Sequence, residues 1–399
     1  MAYTEVTSTS WISRLGGAFK GILVGIVLVV VACGLLFWNE GRAVKRAKDL
    51  AEGAGAVISV SASEMQSANE GQLVHMTGLA TSDQTLSDTM FPVSATAIKL
   101  RRTVEMYQWQ ENTKSETRKK LGGGEETVTT YTYGKVWSES AINSSSFKES
   151  GHDNPGMQYN SEEQVADNVA LGQFVLSNSL VSQMSNYEDL PITTPPSSFQ
   201  GLPSNTKVNG GGYYIGYYPN SPAIGDYRIT YQIVNPATVS IVSVQKGNSF
   251  APYKGSRGST IDELVLGEKT ADEMFTALEA QNKMMTWILR AVGFIVMFIG
   301  FRMIFGPISV VLDVLPFLGN IAGAGISLIS FILTLILAPI VVAIAWLRYR
   351  PIIGLAVLAI AVVGIVMLIR ARKKGKNAAA GIPAAPSAPP SAPPPPPGE

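Results

Sequence analysis

GILVGIVLVVVACGLLFW, residues 21–38, is a run of eighteen residues without a charge. As a helix it measures about 27 Å at 1.5 Å per residue, close to the hydrocarbon thickness of a bilayer. Trp38 and the polar sequence Asn39, Glu40, Gly41, Arg42 follow with no small-residue cleavage pattern, so the run reads as a retained anchor and not a secretory signal. The next apolar run, residues 287–305, begins only after a stretch of ordinary soluble composition at 39–286. From there the chain is almost continuously apolar to Ile369. The fold expected is a bundle of four transmembrane helices, with a large strand-rich α+β extramembrane domain inserted between helices 1 and 2.

The expected organisation starts with an N-terminal cytoplasmic or interfacial segment at 1–20, on the side of the membrane away from the domain. Spans at 21–38 and 287–305 bracket the domain at 39–286. Residues 314–347 would make a straight helix of about 51 Å, too long for a ~30 Å core. Pro316, Gly319, Asn320, Gly323 and Gly325 suggest a break. An interfacial or re-entrant piece at 306–322 and a third span at 323–347 are therefore expected, with Pro339 as a kink. Arg348 to Pro351 makes a turn, and 352–369 returns as the fourth span. A basic, then proline-rich tail fills 370–399 and ends in five consecutive prolines; this composition suits a solvated chain of polyproline character.

At 46% hydrophobic, 15% charged and a net charge of +1, the chain has no global electrostatic footprint for nucleic acid. Its partners are expected to be membrane lipids and copies of itself. Arg290 and Arg302 sit near the ends of the second span, where long side chains reach headgroups, and Arg370, Arg372, Lys373 and Lys374 follow the last one. Counting positive residues gives seven on the terminal side and six on the domain side, which orients the chain toward a cytoplasmic tail only by that one residue. Gly17, Gly21 and Gly25, and again Gly319 and Gly323, recur four apart, a spacing that lets helix backbones meet within one copy or between copies.

Within the domain, residues 41–53 read as a short amphipathic helix, and 57–60 and 72–79 as strands. Residues 97–111 and 127–139, joined through Gly122, Gly123 and Gly124, make the clearest hairpin. A capping-box pattern at Ser161–Gln164 with Val165, Val169, Phe174 and Leu180 predicts one or two helices. Residues 189–212 read as loop; 213–218, 227–234 and 238–245 resume strand character. A second capping box, Thr270 with Glu273, opens a helix that runs without a breaker into the second span.

Catalytic machinery is not evident. The single cysteine, Cys33, lies within the first apolar run, and the two histidines, His75 and His152, do not make a histidine-rich metal site. No P-loop, H-E-x-x-H or G-x-S-x-G pattern occurs, so neither metal nor cofactor is expected. Glu105 beside Arg101 and Arg102 is best explained as a cross-strand ion pair. His152, in a Gly-His-Asp-Asn-Pro turn, is best explained as a capping residue.

Several longer words identify the chain more narrowly. They include Asn39-Glu40-Gly41-Arg42-Ala43, the segment from Asn69 and Glu70 to His75, and the eleven residues from Lys99 to Trp109 with Arg101, Arg102, Glu105 and Trp109. Gly151 to Pro155 with His152, Thr286-Trp287, and Tyr349-Arg350-Pro351 complete the set. In this order they resemble the LUMA family of transmembrane proteins over most of the chain. The resemblance implies a four-span, non-enzymatic membrane protein with a lumenal domain. In animals it would reside in the endoplasmic reticulum and inner nuclear membrane, self-associate, and be linked to lamin and emerin organisation. The chain departs from the animal pattern in its tail and at about 189–212, and the Ala- and Pro-rich tail suggests a bacterial member with a periplasmic domain at the inner membrane. The resulting expectation is a non-enzymatic scaffold that self-associates. The alternative is a lipid-handling or transport protein that uses Arg290, Arg302, Asp313 and residues 314–325 as a polar path.

Overall fold

The structure, a computed structural model, describes residues 3–193, 201–356, 359 and 370. Strand β1 (Tyr3–Thr9) precedes α1 (Trp11–Ala56), a single 46-residue helix capped by Ser10. The domain follows with β2 (Ile58–Ser59), β3 (Leu73–Thr81), β4 (Thr85–Ser87), β5 (Ser94–Thr96), β6 (Lys99–Lys119), β7 (Glu125–Ser138), β8 (Glu162–Val165), β9 (Ala170–Leu171) and β10 (Phe174–Val175). After the one-turn helix α2 (Asn178–Val181) come β11 (Glu188–Asp189), β12 (Thr206–Asn209), β13 (Gly212–Ile215), β14 (Tyr227–Val234), β15 (Ala237–Lys246), β16 (Ser249–Ala251), β17 (Tyr253–Lys254), β18 (Thr260–Ile261) and β19 (Glu263–Leu266). Two long helices, α3 (Ala271–Leu312) and α4 (Pro316–Tyr349), complete the described elements.

Helices α1, α3 and α4 are each long and apolar enough to cross a membrane. They pack as a bundle in which α1 and α3 approach to backbone contact. A Cβ on Gly25 would lie 2.6 Å from the Gly300 carbonyl oxygen, and one on Gly300 would lie 2.8 Å from Val29. Gly293 receives Leu36 in the same way, and Ala32, Leu36, Met297 and Ala338 fill the centre. Of the glycines read as a packing face, Gly25 makes this close crossing and Gly21 touches Met303 at van der Waals distance. Gly17 and Gly323 have no neighbour that a Cβ would meet, and Gly319 makes room for the Asp313 carboxylate.

The domain folds around two mainly antiparallel sheets. One runs β1-β7-β6-β14-β13-β12, and the other β10-β9-β3-β15-β16. Their shared core takes Val104 and Met106 from β6, Ile229 and Tyr231 from β14, Val74 and Met76 from β3, and Val239 and Ile241 from β15. Alternation along β15 turns Val242 to the other face. There it joins Leu50 of α1, Ile261, and Met274, Phe275 and Leu278 of α3 in a second cluster that fixes both helices to the domain. Asp49 continues the fixation by accepting from the backbone N–H groups of Arg257 and Ser259, each at 2.9 Å.

Several expectations are corrected. The amphipathic helix at 41–53 is not separate from the first span, because Gly53 lies inside α1 with Ile261 and Phe275 packed against it. The segment at 306–322, expected as an interfacial or re-entrant piece, is not set apart from the helices on either side. Instead α3 continues through Pro307 to Leu312, a tight turn follows, and α4 runs unbroken through Gly319, Gly323 and Gly325. The glycines do not break it, since an apolar helix interior offers their carbonyls and N–H groups no partners other than those of the helix itself. The helix predicted from Ser161 is mainly β8, β9 and β10. Glu162 and Glu163 there face Arg102 and Arg101 across the β6–β8 pair, and this ion pairing overrides the helical pattern. Residues 189–212 are not all loop, since β12 pairs with β13; residues 194–200 lie outside the description. The fourth span at 352–369 lies mostly outside the described residues, although 351–356 are helical. The tail beyond Arg370 also lies outside them.

The N-terminal segment departs furthest from expectation. Instead of standing apart from the domain, β1 pairs in seven-residue register with β7, from Tyr3↔Tyr131 to Thr9↔Glu125. Its alternating Thr, Glu, Val and Ser residues suit a strand edge, and β7 leaves that edge unpaired without it. Beyond Trp109 the sheet is thus a blade of β6 and β7, three-stranded with β1 from Thr113 to the tip. Its tip turns on Gly122 and Gly123, both at positive φ, and a Cβ on Gly123 would collide with Trp11. Here the tip meets the end of the bundle remote from the domain. Trp11 donates to the Val310 carbonyl at 2.8 Å, and the Gly122 N–H donates to that of Val314 at 3.2 Å. Asp313, 1% exposed, is clamped by Arg14 at 2.5 Å and Lys119 at 2.6 Å.

Candidate functional site: a polar junction on the helix bundle

At the domain end of the bundle, the motif from Asn39 to Arg42 turns its polar side chains inward. Asn39 and Glu40 are fully buried. Glu40 accepts from Arg290 Nε at 2.6 Å and from Trp346 Nε1 at 2.8 Å, so one carboxylate ties α1 to both α3 and α4. Arg42 donates to Asn39 Oδ1, to Asn282 Oδ1 at 3.1 Å and to Thr286 Oγ1 at 3.2 Å. Asn39 Nδ2 donates to the Thr286 carbonyl and Asn282 Nδ2 to that of Ala43, both at 3.0 Å. Gly41 completes the join, because the Tyr349 ring occupies the space a Cβ would need.

The chemistry of this cluster is that of a fastener. Every polar group named has a partner, which is what burial in a low-dielectric interior demands. No nucleophile stands beside a base, and among the described residues no group of His, Cys, Asp or Glu side chains could hold a metal. The Arg290 guanidinium lies 4.7 Å from the Trp287 ring centroid and 5.9 Å from that of Trp346.

The other sequence-derived residues are scattered. Glu105 pairs with Arg228 across β14, not with its neighbours Arg101 and Arg102. Arg101 holds Glu163 at 2.8 Å, and Arg102 is buried against Asp88 at 2.6 Å and Glu162 at 3.0 Å. Burial and the bond to Glu163 push the Tyr187 hydroxyl up to about 12. Glu70 accepts from the Gly247 N–H. His75 Nε2 donates to the Lys269 carbonyl at 2.7 Å, leaving Nδ1 to accept from Ser59 at 3.1 Å. His152 stacks on Tyr133 at 3.9 Å and meets Trp109 edge-on at 4.6 Å. Its neighbour Asn154 imitates a strand, accepting from the Trp109 N–H at 2.7 Å and donating to the Trp109 carbonyl at 2.9 Å.

The residues of the supposed polar path do not converge. Arg290 belongs to the junction, and Arg302 is exposed on α3. Asp313 lies at the opposite end of the bundle, about 35 Å along the helix from Arg290. Arg370 is exposed, and Arg372, Lys373 and Lys374 lie outside the described residues. Asn282 and Trp346 were not singled out from sequence, and Thr286 entered only as part of a motif word. The available signal was the spacing of Asn282, Thr286 and Arg290, four residues apart on one helix face as α3 enters its apolar stretch.

Comparison with known proteins agrees with the motif words. The family profile described as Transmembrane protein 43 matches residues 106–351. Transmembrane protein 43 of Homo sapiens is 32% identical over 371 residues, covering 90% of this chain and 91% of its own. That of Mus musculus is 32% identical over 365 residues, covering 88% and 90%. The Transmembrane protein 43 homolog of Drosophila melanogaster is 30% identical over 356 residues, covering 84% and 90%. No solved structure matches the chain. An integral membrane protein with a strand-rich domain and, among the described residues, three long apolar helices, this chain belongs to the Transmembrane protein 43 family.

Proposed function

We propose that the protein is a non-enzymatic membrane scaffold whose copies assemble through the β1–β7–β6 blade, with the domain standing in the periplasm or lumen. The observation that carries this reading is the position of the blade. It runs from the domain to the far end of an apolar bundle, yet one of its faces carries Lys114, Glu116, Arg118 and Glu126. Among the described residues, no strand pairs with the outer edge of β1 or with that of β6 beyond Trp109. A charged sheet with open edges has no place against lipid, where backbone groups need partners and sheets must close. Neighbouring copies supply both needs, edge to edge, while the bundle's apolar faces turn to lipid. The separation of Arg290, Arg302 and Asp313 removes the geometric support for a transport path along them.

The test is crosslinking between copies in membranes. In a Cys33→Ala background, one cysteine at Val6 and one at Glu116 are expected to give disulfide-linked dimers and higher ladders. Monomer alone at every concentration, both in membranes and in mild detergent, overturns the assembly.

A further inference from the structure

Beside the polar junction lies a cavity of about 250 Å³, open to the surface and lined by Ala43, Asn282, Lys283, Trp287, Arg290 and Arg350 among others. We infer that this cavity binds the phosphate of an anionic glycerophospholipid at the membrane interface. Charge supplies the first argument. Four cations (Arg42, Lys283, Arg290 and Arg350) surround the junction and cavity, against two carboxylates. Glu40 is already occupied by Arg290 and Trp346, and Glu279 lies 3.8 Å from Lys283 at the rim. Arg42 is hydrogen-bonded only to neutral amide and hydroxyl oxygens, and its nearby carboxylate, Glu40, is shared with Arg290. The cations thus outnumber the acids, and Arg350 on the cavity wall adds a charge that an anion there balances.

Geometry supplies the second. Arg290 gives Nε to Glu40 and lies near the Trp287 and Trp346 rings, contacts that hold its guanidinium in place, and the residue lines the cavity. A fixed guanidinium fork matches two phosphate oxygens, and Lys283 and Arg350 add point charges around them. Depth supplies the third. Trp287, 67% exposed, and Trp38, 56% exposed, mark the level at which amphipathic rings meet headgroups. Below that level the lipid-facing side chains are apolar, including Ile288, Val292 and Ile295 of α3, so acyl chains have a surface to follow. A phosphate carried on a lipid fits both halves of this environment, whereas a free phosphate uses only one.

The experiment uses the full chain in nanodiscs of phosphatidylcholine, with phosphatidylglycerol added stepwise and thermal unfolding as readout. A saturable rise in Tm with phosphatidylglycerol is expected. A double variant, Lys283→Gln with Arg350→Gln, which leaves the Glu40 network intact, should weaken the apparent affinity at least tenfold. Its unchanged Tm in pure phosphatidylcholine shows that the fold is retained; if that baseline drops, each single variant is titrated instead, with a threefold loss expected. The inference is overturned if phosphatidylglycerol has no effect on the wild type or if the variants respond as the wild type does. It is also overturned if inorganic phosphate added to phosphatidylcholine discs reproduces the whole rise, since the ligand is then not a lipid.

Discussion

Replacing Glu40 with alanine is the most direct way to ask whether the junction holds the bundle together. The carboxylate is fully buried, and it is both the counter-ion of Arg290 and the acceptor for the Trp346 indole N–H. Deleting one partner of a buried ion pair costs about 3–5 kcal/mol, because the remaining charge is left in a poor solvent. An orphaned indole N–H adds about 1–3 kcal/mol. The two losses overlap, since Arg290, 18% exposed, can turn part of the way to water, so a total of about 3–5 kcal/mol is expected for Glu40→Ala. For a chain of this size that is a fall in Tm of about 4–6 °C, measurable in detergent by loss of helical signal. Glu40→Gln keeps an acceptor for Trp346 and should cost less. The decisive variant is the double one, Glu40→Ala with Arg290→Met, in which no buried charge is stranded; it should recover at least about 1 kcal/mol relative to the sum of the single losses. Strict additivity of the two single losses, or a Glu40→Ala protein within about 1 kcal/mol of the wild type, would refute the ion pair as the fastener.

Three other perturbations address other parts of the fold. Gly25→Leu must separate α1 from Gly300 and should cost at least about 1–3 kcal/mol, while Gly17→Leu, whose added Cβ would meet nothing within 4 Å, should stay within about 0.5 kcal/mol; thermal unfolding compares them, and equal losses would contradict the crossing. Asp313→Asn removes the charge between Arg14 and Lys119, so the blade tip should release and trypsin should cut after Lys120 several-fold faster than in the wild type, as followed by mass spectrometry. The Glu163 carboxyl feels burial, which raises its pKa, but bonds from Tyr187 and Arg101 outweigh this and hold it below the usual carboxylate range. Its contribution is therefore present above the ordinary glutamate pKa of about 4.3 and is lost as pH falls through the depressed value. Tyr187, raised to about 12, has the opposite sense: its bond persists below about pH 10 and is lost as pH rises through 12. Glu163→Gln should flatten the acid limb of the stability profile and Tyr187→Phe the alkaline limb, and unaltered limbs would dismiss the pair.

What the sequence made legible was what periodicity and local chemistry determine by themselves. Apolar length pointed to the three long helices described, the triglycine located the hairpin, and Thr270 with Glu273 does form the reciprocal capping box at the start of α3. Local chemistry misled where a tertiary partner decided the outcome. The segment from Ser161 has a helical cap pattern, yet Arg101 and Arg102 draw its acids into a strand. The glycines of α4 look like breakers because their cost is familiar from water, but in an apolar bundle the helix is the one way to satisfy its backbone. At the candidate site, the word Asn39-Glu40-Gly41-Arg42 was visible, whereas its partners lie some 240–306 positions away and became apparent only when α1, α3 and α4 were brought together.

The blade was hidden for a different reason, and that reason bears on its role. Thr, Ser, Glu and Lys alternating over β6 and β7 read as an ordinary solvent-exposed hairpin, for which about four residues a side would suffice. The hairpin instead continues some ten residues past Trp109, about 33 Å at 3.3 Å per residue, which is close to the thickness of the hydrocarbon core. Its length is matched by the apolar helices whose far end it grips through Trp11, Arg14 and Asp313, and β1 lengthens the same sheet from the other terminus. A solvent hairpin has no reason to match a membrane in length, nor to place a buried, doubly clamped carboxylate at its tip. The match follows if blade and bundle traverse the same depth, one facing water and protein, the other facing lipid.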